Sequence, residues 1–290
     1  MSHSLPAAVV WITGAGGLIG SHLAKAASVQ APHVKPVGRG RNDLDLTDFS
    51  AVRRRFRSDS PHAVIHCAAL SKTTACQANP TRARLVNIDT TRYLAELAAE
   101  IPLLFFSTDL VFDGRKGNYV EGDPVNPLNA YAETKVIAEQ IVLANPRHTV
   151  LRTSLNHGYS VTGNRSFNEE MLQSWREGRT LNLFVDEFRN PIPAGITARA
   201  VWELLQLNQP GLYHLAGPER LSRYEIGRLI AAHHPQANPR IEAGSLKDYA
   251  GAPRSPDTTL NCSKIQSLLS FPLPKFSEWM QDASRRQETP

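Results

Sequence analysis

Short apolar runs alternate with longer segments of helical periodicity through the first half of the chain. The apolar runs predict buried strands at residues 7–13, 34–38, 63–67, 103–107 and 149–152. The segments between them predict helices, among them residues 80–100 and 130–143. Strands that alternate with helices of this length indicate an α/β fold with a parallel, doubly wound sheet.

The alternation loosens after residue 152. The pattern predicts helices at residues 166–177, 195–207, 222–232, 262–269 and 276–286, strands at 181–185 and 212–215, a loop at 243–257 and a frayed tail at 284–290. Ser222 and Glu225 have the spacing of a capping box at a helix start. We predict one domain at residues 1–154 and a smaller α/β region at 155–290, of which residues 181–216 partly return to the main sheet.

A glycine-rich turn joins the first strand to the first helix. It reads Gly14-Ala-Gly-Gly17-Leu-Ile-Gly20, with the spacing G-x-x-G-x-x-G. Gly14 allows a tight turn, Gly17 lets the backbone approach a pyrophosphate, and Gly20 lets the helix pack on the strand. The free N–H groups of the helix start can then bind phosphate. Strand, glycine turn and helix together predict a Rossmann-type domain that binds a dinucleotide.

The second strand ends in Gly38-Arg39-Gly40-Arg41 and lacks the acid that bonds the ribose in NAD-binding proteins. Arg39 or Arg41 could pair with a 2′-phosphate, which favours NADP over NAD; both could also be exposed surface residues. Asp45 and Leu46 follow before the next helix. Asp45 could approach the adenine or begin a turn, and we count both residues among the predicted cofactor contacts.

The third strand leads into Ala68 and Ala69, small residues beside which a cofactor could lie close to the backbone. The following helix contains Asn87, an unfavourable residue for a helix interior. Asn87 could bond backbone or water beside a site, or it could be an ordinary polar helix residue.

The fourth strand ends in Ser107, Thr108 and Asp109. Open α/β sheets bind ligands at the carboxyl ends of their strands. Tyr131 and Lys135 lie one helical turn apart, so their side chains share a face. A tyrosine hydroxyl has a pKa near ~10, and a fixed ammonium lowers that pKa. These residues predict a proton-transfer site, with a solvated tyrosine and lysine as the alternative.

Composition narrows the function classes. The 290 residues carry 32 Lys+Arg and 27 Asp+Glu, a net charge of +5, and 41% of them are hydrophobic. The one dense basic run, residues 53–55, lies in a helical pattern, so we expect a solvated face and no nucleic-acid partner. A mildly basic protein can still favour anionic small molecules such as nucleotides.

The cysteines and the apolar runs indicate a cytoplasmic protein. Cys67, Cys76 and Cys262 are odd in number and lack metal-ligand spacing, so we expect reduced thiols. No secretion signal precedes the first strand, and no apolar run approaches the ~20 residues that span a bilayer. The ten histidines are scattered, and we expect no metal site and no membrane contact.

Taken together, the motifs resemble the extended short-chain dehydrogenase/reductase family, with the nearest likeness to dTDP-4-dehydrorhamnose reductases. They are GAGGLIG at 14–20, HCAA at 66–69, Asn87, FFSTDLVFDG at 105–114, NPLNAYAETK at 126–135 and LRTS at 151–154. After residue 154 the likeness is looser, with DEFRNPIP at 186–193 and GLYHLAGPERLSRYEIG at 211–227 fitting the general plan.

The resemblance implies roles for the matching positions. Tyr131 gives a proton to the substrate carbonyl as the nicotinamide gives a hydride, and Lys135 lowers the pKa of Tyr131 and bonds the nicotinamide ribose. Thr108, with Ser107 and Asp109, binds the substrate, and Asn87 supports the site. Leu18 and Ile19 join the three glycines around the cofactor. Arg189 could reach a substrate diphosphate or form a salt bridge, and Arg152 and Arg254 are weaker candidates.

The implied activity is NADPH-dependent reduction of the 4-keto group of a nucleotide-linked deoxysugar, in a protein that could be a homodimer. The alternatives are a sugar-nucleotide epimerase or dehydratase with bound NAD, and a non-catalytic regulatory subunit such as the β subunit of methionine adenosyltransferase. The chain departs from the rhamnose reductases on the substrate side. Leu110 and Leu155 replace the usual aromatic residues, and Glu187 replaces a usual Gln.

Overall fold

A computed structural model describes residues 8–251 and 253–282. Residue 7 of the first predicted strand, the end of the last predicted helix and the predicted tail lie outside these ranges. The strands are β1 Ala8–Thr13, β2 Val34–Arg39, β3 Ala63–His66, β4 Leu103–Thr108, β5 Thr149–Thr153, β6 Asn156–His157, β7 Leu181–Phe184, β8 Phe188–Arg189, β9 Ile192–Pro193, β10 Gly211–Leu215, β11 Leu221–Ser222 and β12 Ile241–Gly244.

The α-helices follow the predicted pattern closely. They are α1 Leu18–Gln30, α2 Phe49–Asp59, α3 Thr73–Ala78, α4 Pro80–Arg84, α5 Thr90–Leu97, α6 Ala130–Leu143, α7 Phe167–Arg176, α8 Ala194–Leu207, α9 Arg223–His233, α10 Ser263–Gln266 and α11 Phe276–Gln281. The capping box of Ser222 and Glu225 is present at the start of α9, so that prediction is confirmed.

Six parallel strands form the main sheet in the order β10-β5-β4-β3-β1-β2. Every residue of β3 and β4 is buried, because one apolar cluster covers each face of the sheet. Burial on both faces explains why these strands read as continuous apolar runs. The predicted α/β fold with a doubly wound parallel sheet is confirmed.

The second half of the chain contributes to two structures. Strand β10 returns to the main sheet beside β5, whereas β7 pairs with β12 in a separate two-stranded sheet. Helices α7, α9 and α11 enclose a separate apolar cluster that includes Trp175, Ile226 and Phe276. Leu155 and Tyr159, which follow β5, pack against this small core.

Several short elements differ from the sequence prediction, among them the two-residue strands β6, β8, β9 and β11, which the sequence pattern does not predict. The predicted helix at 80–100 is interrupted by a π-helical turn, Leu85–Asp89. Helix α3 forms where no helix is predicted. Strand β12 and a 3₁₀ turn, Leu246–Asp248, occupy part of the predicted loop at 243–257. Each is short, and a helix or strand of four to six residues leaves little periodic signal.

Candidate active site

The glycine turn has the shape that a dinucleotide phosphate requires. Gly14 has a φ of +68°, and a Cβ there would lie 2.8 Å from the Ala68 nitrogen. A Cβ on Gly20 would collide with the Gly14 carbonyl, whereas a Cβ on Gly16 would meet no atom within 4 Å. The turn is therefore tightly packed at Gly14 and Gly20 and open at Gly16. Helix α1 has no side-chain cap and no acid in its first turn, so its N-terminus suits an anion.

The other predicted cofactor positions surround this turn. Leu18 is buried and Ile19 packs against the main core, both at the start of α1. Ala68 and Ala69 are partly exposed and follow β3 directly. The Ala68 N–H donates to the Thr13 hydroxyl at 3.3 Å, which fixes this loop against β1. The residues present thus fit a bound dinucleotide.

Arg39 and Asp45 are engaged within the protein. The Arg39 guanidinium is buried over the Trp11 ring and pairs with Asp43 at 2.8 Å and with Asp59. Asp45 accepts hydrogen bonds from the backbone and hydroxyl of Thr47, which lower its pKa. Leu46, beside it, packs against the second apolar cluster. An Arg39 contact with a 2′-phosphate stays a prediction that requires these pairs to rearrange.

Asn87 occupies the π-helical turn and joins three elements. Its side-chain oxygen accepts from the Leu70 N–H at 2.8 Å, and its amide donates to the Leu70 carbonyl at 3.1 Å. The same amide donates to the Thr134 hydroxyl at 3.0 Å, between Tyr131 and Lys135 on α6. Asn87 is 1% exposed, so these bonds anchor the loop after β3 to the helix of the proton-transfer pair. π-Turns of this kind are frequent at functional sites.

Thr108, Tyr131 and Lys135 converge where β4 ends. The Thr108 hydroxyl donates to an Asp109 carboxylate oxygen at 3.1 Å and also hydrogen-bonds Tyr131. Lys135 is 3% exposed, and its ammonium lies 3.8 Å from the centre of the Phe105 ring. These three groups form a water-poor site in which a proton can be exchanged with a ligand.

Ser107 lies beside this group and has a free hydroxyl. Its Oγ is buried and has no hydrogen-bond partner among the described residues. A buried hydroxyl without a partner is rare in proteins, because desolvation of the group is not offset. A ligand oxygen would satisfy it.

The electrostatics of the pair differ from the simple expectation. Burial raises the pKa of Tyr131 well above its ordinary value, and the nearby Asp109 carboxylate raises it further. Burial lowers the pKa of Lys135 to about 7, although Glu139 opposes this shift. Tyr131 is therefore held in its protonated form, and a lowering of its pKa by Lys135 stays a prediction.

Asp109 and Arg189 belong to a buried polar cluster. Asp109 accepts hydrogen bonds from the hydroxyls of Ser154 and Thr258, both at 2.9 Å, and lies 3.5 Å from Arg189. Arg189 also pairs with Glu187 at 2.9 Å and donates to two backbone carbonyls. Both side chains are about 5% exposed, so the structure gives them internal partners, and their contact with substrate stays a prediction.

Several residues of the site carry no signal in the sequence. The loop after β3 rests on a chain of hydrogen bonds from Thr13 through His66 to Thr91, with distances of 2.6 and 3.0 Å. Ser154 and Thr258 fix Asp109. Arg223 lies beside the Glu187 cluster. Their partners are remote in the chain, so neither spacing nor periodicity identifies them.

The three cysteines are free thiols, as predicted. Within residues 8–251 and 253–282, no group of three or more His, Cys, Asp or Glu side chains is placed to hold a metal ion. In the same part of the chain, no helix has the length and apolar character needed to cross a membrane.

The fold and the site together define an oxidoreductase of the extended short-chain dehydrogenase/reductase type. Its marks are the parallel sheet, the glycine turn, and the Thr, Tyr and Lys at the end of β4 and the start of α6. The family model described as RmlD substrate binding domain matches residues 8–288. The chain belongs to that family.

Its relatives include a reductase and a subunit of a different enzyme. The dTDP-4-dehydrorhamnose reductase of Sinorhizobium fredii is 30% identical over 283 residues, which cover 92% of this chain and 93% of that protein. The methionine adenosyltransferase 2 subunit beta of Xenopus laevis is 28% identical over 279 residues, which cover 91% and 84%.

Solved structures show the same fold. The dTDP-4-dehydrorhamnose reductase of Bacillus anthracis, in complex with NADP, has a TM-score of 0.85 at 23% identity and covers 94% of this chain and 97% of its own. That of Clostridium acetobutylicum has a TM-score of 0.86 at 24% identity, covering 97% and 99%.

Proposed function

We propose that this protein reduces the 4-keto group of a nucleotide-linked 6-deoxysugar and uses NADPH as the hydride donor. The observation that carries the proposal is the grouping at the end of β4 of a buried Thr108, a half-buried Tyr131 and a buried Lys135 that lies against Phe105. The reductase from Sinorhizobium fredii supports the choice of substrate class. The NADP in the Bacillus anthracis structure supports the choice of cofactor.

Each residue has a chemical role in this reaction. When bound, the nicotinamide supplies the hydride. The hydroxyls of Thr108 and Ser107 hold the substrate carbonyl oxygen, and the protonated Tyr131 donates its proton to that oxygen. The Lys135 ammonium then stabilises the phenolate that remains. Asn87 and Thr134 keep α6 in register with the loop after β3.

The raised pKa of Tyr131 agrees with this direction of proton transfer. A phenol that stays protonated at neutral pH is an acid ready to protonate the carbonyl oxygen. The Lys135 pKa of about 7 allows that residue to gain or lose a proton near neutral pH as the phenolate is reprotonated.

The proposal is tested by incubating the protein with NADPH, or NADH, and dTDP-, UDP- and GDP-linked 4-keto-6-deoxysugars, and following the loss of reduced-nicotinamide absorbance. Oxidation with one sugar and a preference for NADPH is the expected result. Tight NADPH binding without oxidation in the whole panel would contradict the proposed activity.

That second outcome would favour a cofactor-binding subunit without turnover. The relative named methionine adenosyltransferase 2 subunit beta is the observation that keeps this candidate open. The retained Thr108, Tyr131 and Lys135 favour catalysis instead.

Replacement of Tyr131 by Phe removes the proton-donating hydroxyl and keeps the aromatic ring. We expect the rate of NADPH oxidation to fall by about 10²-fold or more, with NADPH affinity nearly unchanged. Tyr93→Phe, which alters a tyrosine bonded to Arg53 on the surface, is the matched control. A Tyr131→Phe variant with the rate of the parent protein would show that another group supplies the proton.

A further inference from the structure

Three arginines surround Glu187 next to the candidate site, and two of them are fully engaged. Arg254 makes a two-pronged contact with the Glu187 carboxylate, at 2.7 and 2.9 Å. Arg189 pairs with the same carboxylate at 2.9 Å, lies 3.5 Å from Asp109 and donates to the backbone carbonyls of Phe188 and Ser255. The donor groups of these two arginines are thus directed to partners within the protein.

The third arginine, Arg223, keeps a free donor. Its Nη1 is shielded from solvent and has no hydrogen-bond partner among the described residues. Burial lowers the pKa of Arg223 to about 10, while Glu187 and Asp109 oppose the shift, so the group is charged at neutral pH. Three guanidinium groups face two carboxylates here, which leaves one positive charge without a counter-ion. Arg223 as a residue is half-buried, but its shielded Nη1 would normally have a hydrogen-bond partner, and a ligand oxygen would satisfy it.

Arg223 is held rigidly and close to the reacting groups. It is the first residue of α9, directly after the Ser222 cap, and its N–H donates to the Glu187 carbonyl at 2.9 Å. Strand β11, which precedes it, pairs with β8 and so with Arg189. Arg189 in turn reaches Asp109, the residue after Thr108.

Other polar atoms without hydrogen-bond partners lie near Arg223, around the Phe167 ring. The Phe167 ring centre is 5.4 Å from the Arg223 guanidinium carbon and 6.2 Å from the ring of His157. His157 Nε2 and the side-chain nitrogen of Asn168 are also buried without partners. An apolar ring flanked by polar atoms without partners has the chemistry of a surface that orients a polar ligand.

We propose that Arg223 is the anion-binding residue of this pocket and that its free N–H groups hold a phosphoryl oxygen of the diphosphate in a nucleotide-linked substrate. The identity of the ligand rests on the proposed function. Guanidinium groups bind phosphate oxygens through short, charge-assisted hydrogen bonds. Arg223, not Arg189 or Arg254, then determines that the substrate carries a diphosphate.

The test measures the binding of dTDP, UDP and GDP, which lack a sugar, by calorimetry in the presence of saturating NADPH. The NADPH fills the cofactor site, so the added nucleotide reports on the substrate pocket alone. Arg223→Met removes the charge and keeps the length of the side chain. Arg228→Met, on the exposed face of the same helix, is the matched control.

We expect one nucleotide to bind and Arg223→Met to weaken its binding by about tenfold or more. Arg228→Met should leave the nucleotide affinity unchanged, and Arg223→Lys should recover part of the affinity that Arg223→Met loses. Arg228→Met and Arg223→Lys should both keep the NADPH affinity and the melting temperature of the parent protein. Equal affinities in the parent and Arg223→Met would overturn the proposal, as would the absence of binding by all three nucleotides.

The two proposals fail in different ways. Nucleotide binding that depends on Arg223, without NADPH oxidation by any keto-sugar, would refute the reductase and leave the anion-binding role standing. Turnover of a keto-sugar together with unchanged nucleotide affinity in Arg223→Met would refute only the role of Arg223.

Discussion

At the scale of single residues, the site depends on how burial changes acidity. Tyr131 and Lys135 lie on one face of α6, as their spacing predicts, yet their shifts have the signs that desolvation gives to an acid and a base. Burial holds Tyr131 protonated and weakens the hold of Lys135 on its proton. The charged form of Lys135 is therefore unfavourable in the folded protein, and it reduces the free energy of unfolding.

Replacement of Lys135 by Met should raise stability and abolish activity. The folded-state pKa of Lys135, about 7, lies below its ordinary 10.5, so the unfolded chain holds this proton more tightly. The resulting loss of unfolding free energy is complete below about pH 7 and disappears as the pH approaches 10.5. It amounts to about 1.4 kcal/mol per unit of pKa shift. We expect the variant to gain at least ~1 kcal/mol of unfolding free energy at pH 7, measured by urea denaturation. A less stable variant would show that the Phe105 contact outweighs desolvation.

At the scale of elements, the π-turn connects the loop after β3 to α6. Asn87 satisfies both polar groups of the Leu70 backbone and also bonds Thr134. The loop after β3 and α6 are thereby fixed to one side chain. An ordinary α-helix through residues 80–100 would place that side chain differently, which is a physical reason for the irregular turn.

Asn87→Ala should weaken stability and activity together. The Leu70 N–H would lose its partner, at about 1–3 kcal/mol for an unsatisfied buried group, whereas the Leu70 carbonyl would keep the hydrogen bond from the Cys76 thiol. We expect a lower urea midpoint and a lower kcat, with NADPH affinity reduced because Leu70 follows the cofactor-facing alanines. Gln77→Ala, on the exposed side of α3, serves as the control. An unchanged kcat would mean that α6 is positioned without Asn87.

At the scale of the whole molecule, buried neutral histidines make the fold sensitive to acid. His66, His157 and His214 are each at most 8% exposed, and burial lowers the pKa of each to about 3. His66 and His214 lie on β3 and β10 of the main sheet, and His157 lies on β6 against the Phe276 ring of the small core. Protonation of any of them in the folded state places a charge where no water reaches.

Stability should therefore fall steeply between pH 6.5 and 3. In that range the unfolded chain binds three protons that the folded chain does not, so the unfolding free energy drops by about 4 kcal/mol per pH unit at most. His214→Gln can still accept from Arg152 and donate to the Tyr119 carbonyl. It should reduce the slope by about a third, whereas the exposed His33→Gln should not. Equal slopes in all three proteins would refute this account.

The sequence by itself determined the strands, the glycine turn and the Tyr131/Lys135 pair, because periodicity and i,i+4 spacing are local properties. It predicted the helix start at Ser222 for the same reason.

Only the tertiary structure decided which arginines pair with carboxylates of the protein. Arg39 and Arg189 have the positions of anion-binding residues in the sequence, yet both pair with carboxylates of the protein. Arg254 and Glu187 are 67 residues apart and still form a two-pronged pair. Such pairs arise when the chain folds back on itself, and they leave the Nη1 of Arg223 without a hydrogen-bond partner among the described residues. Spacing along the chain carries no record of a partner that distant.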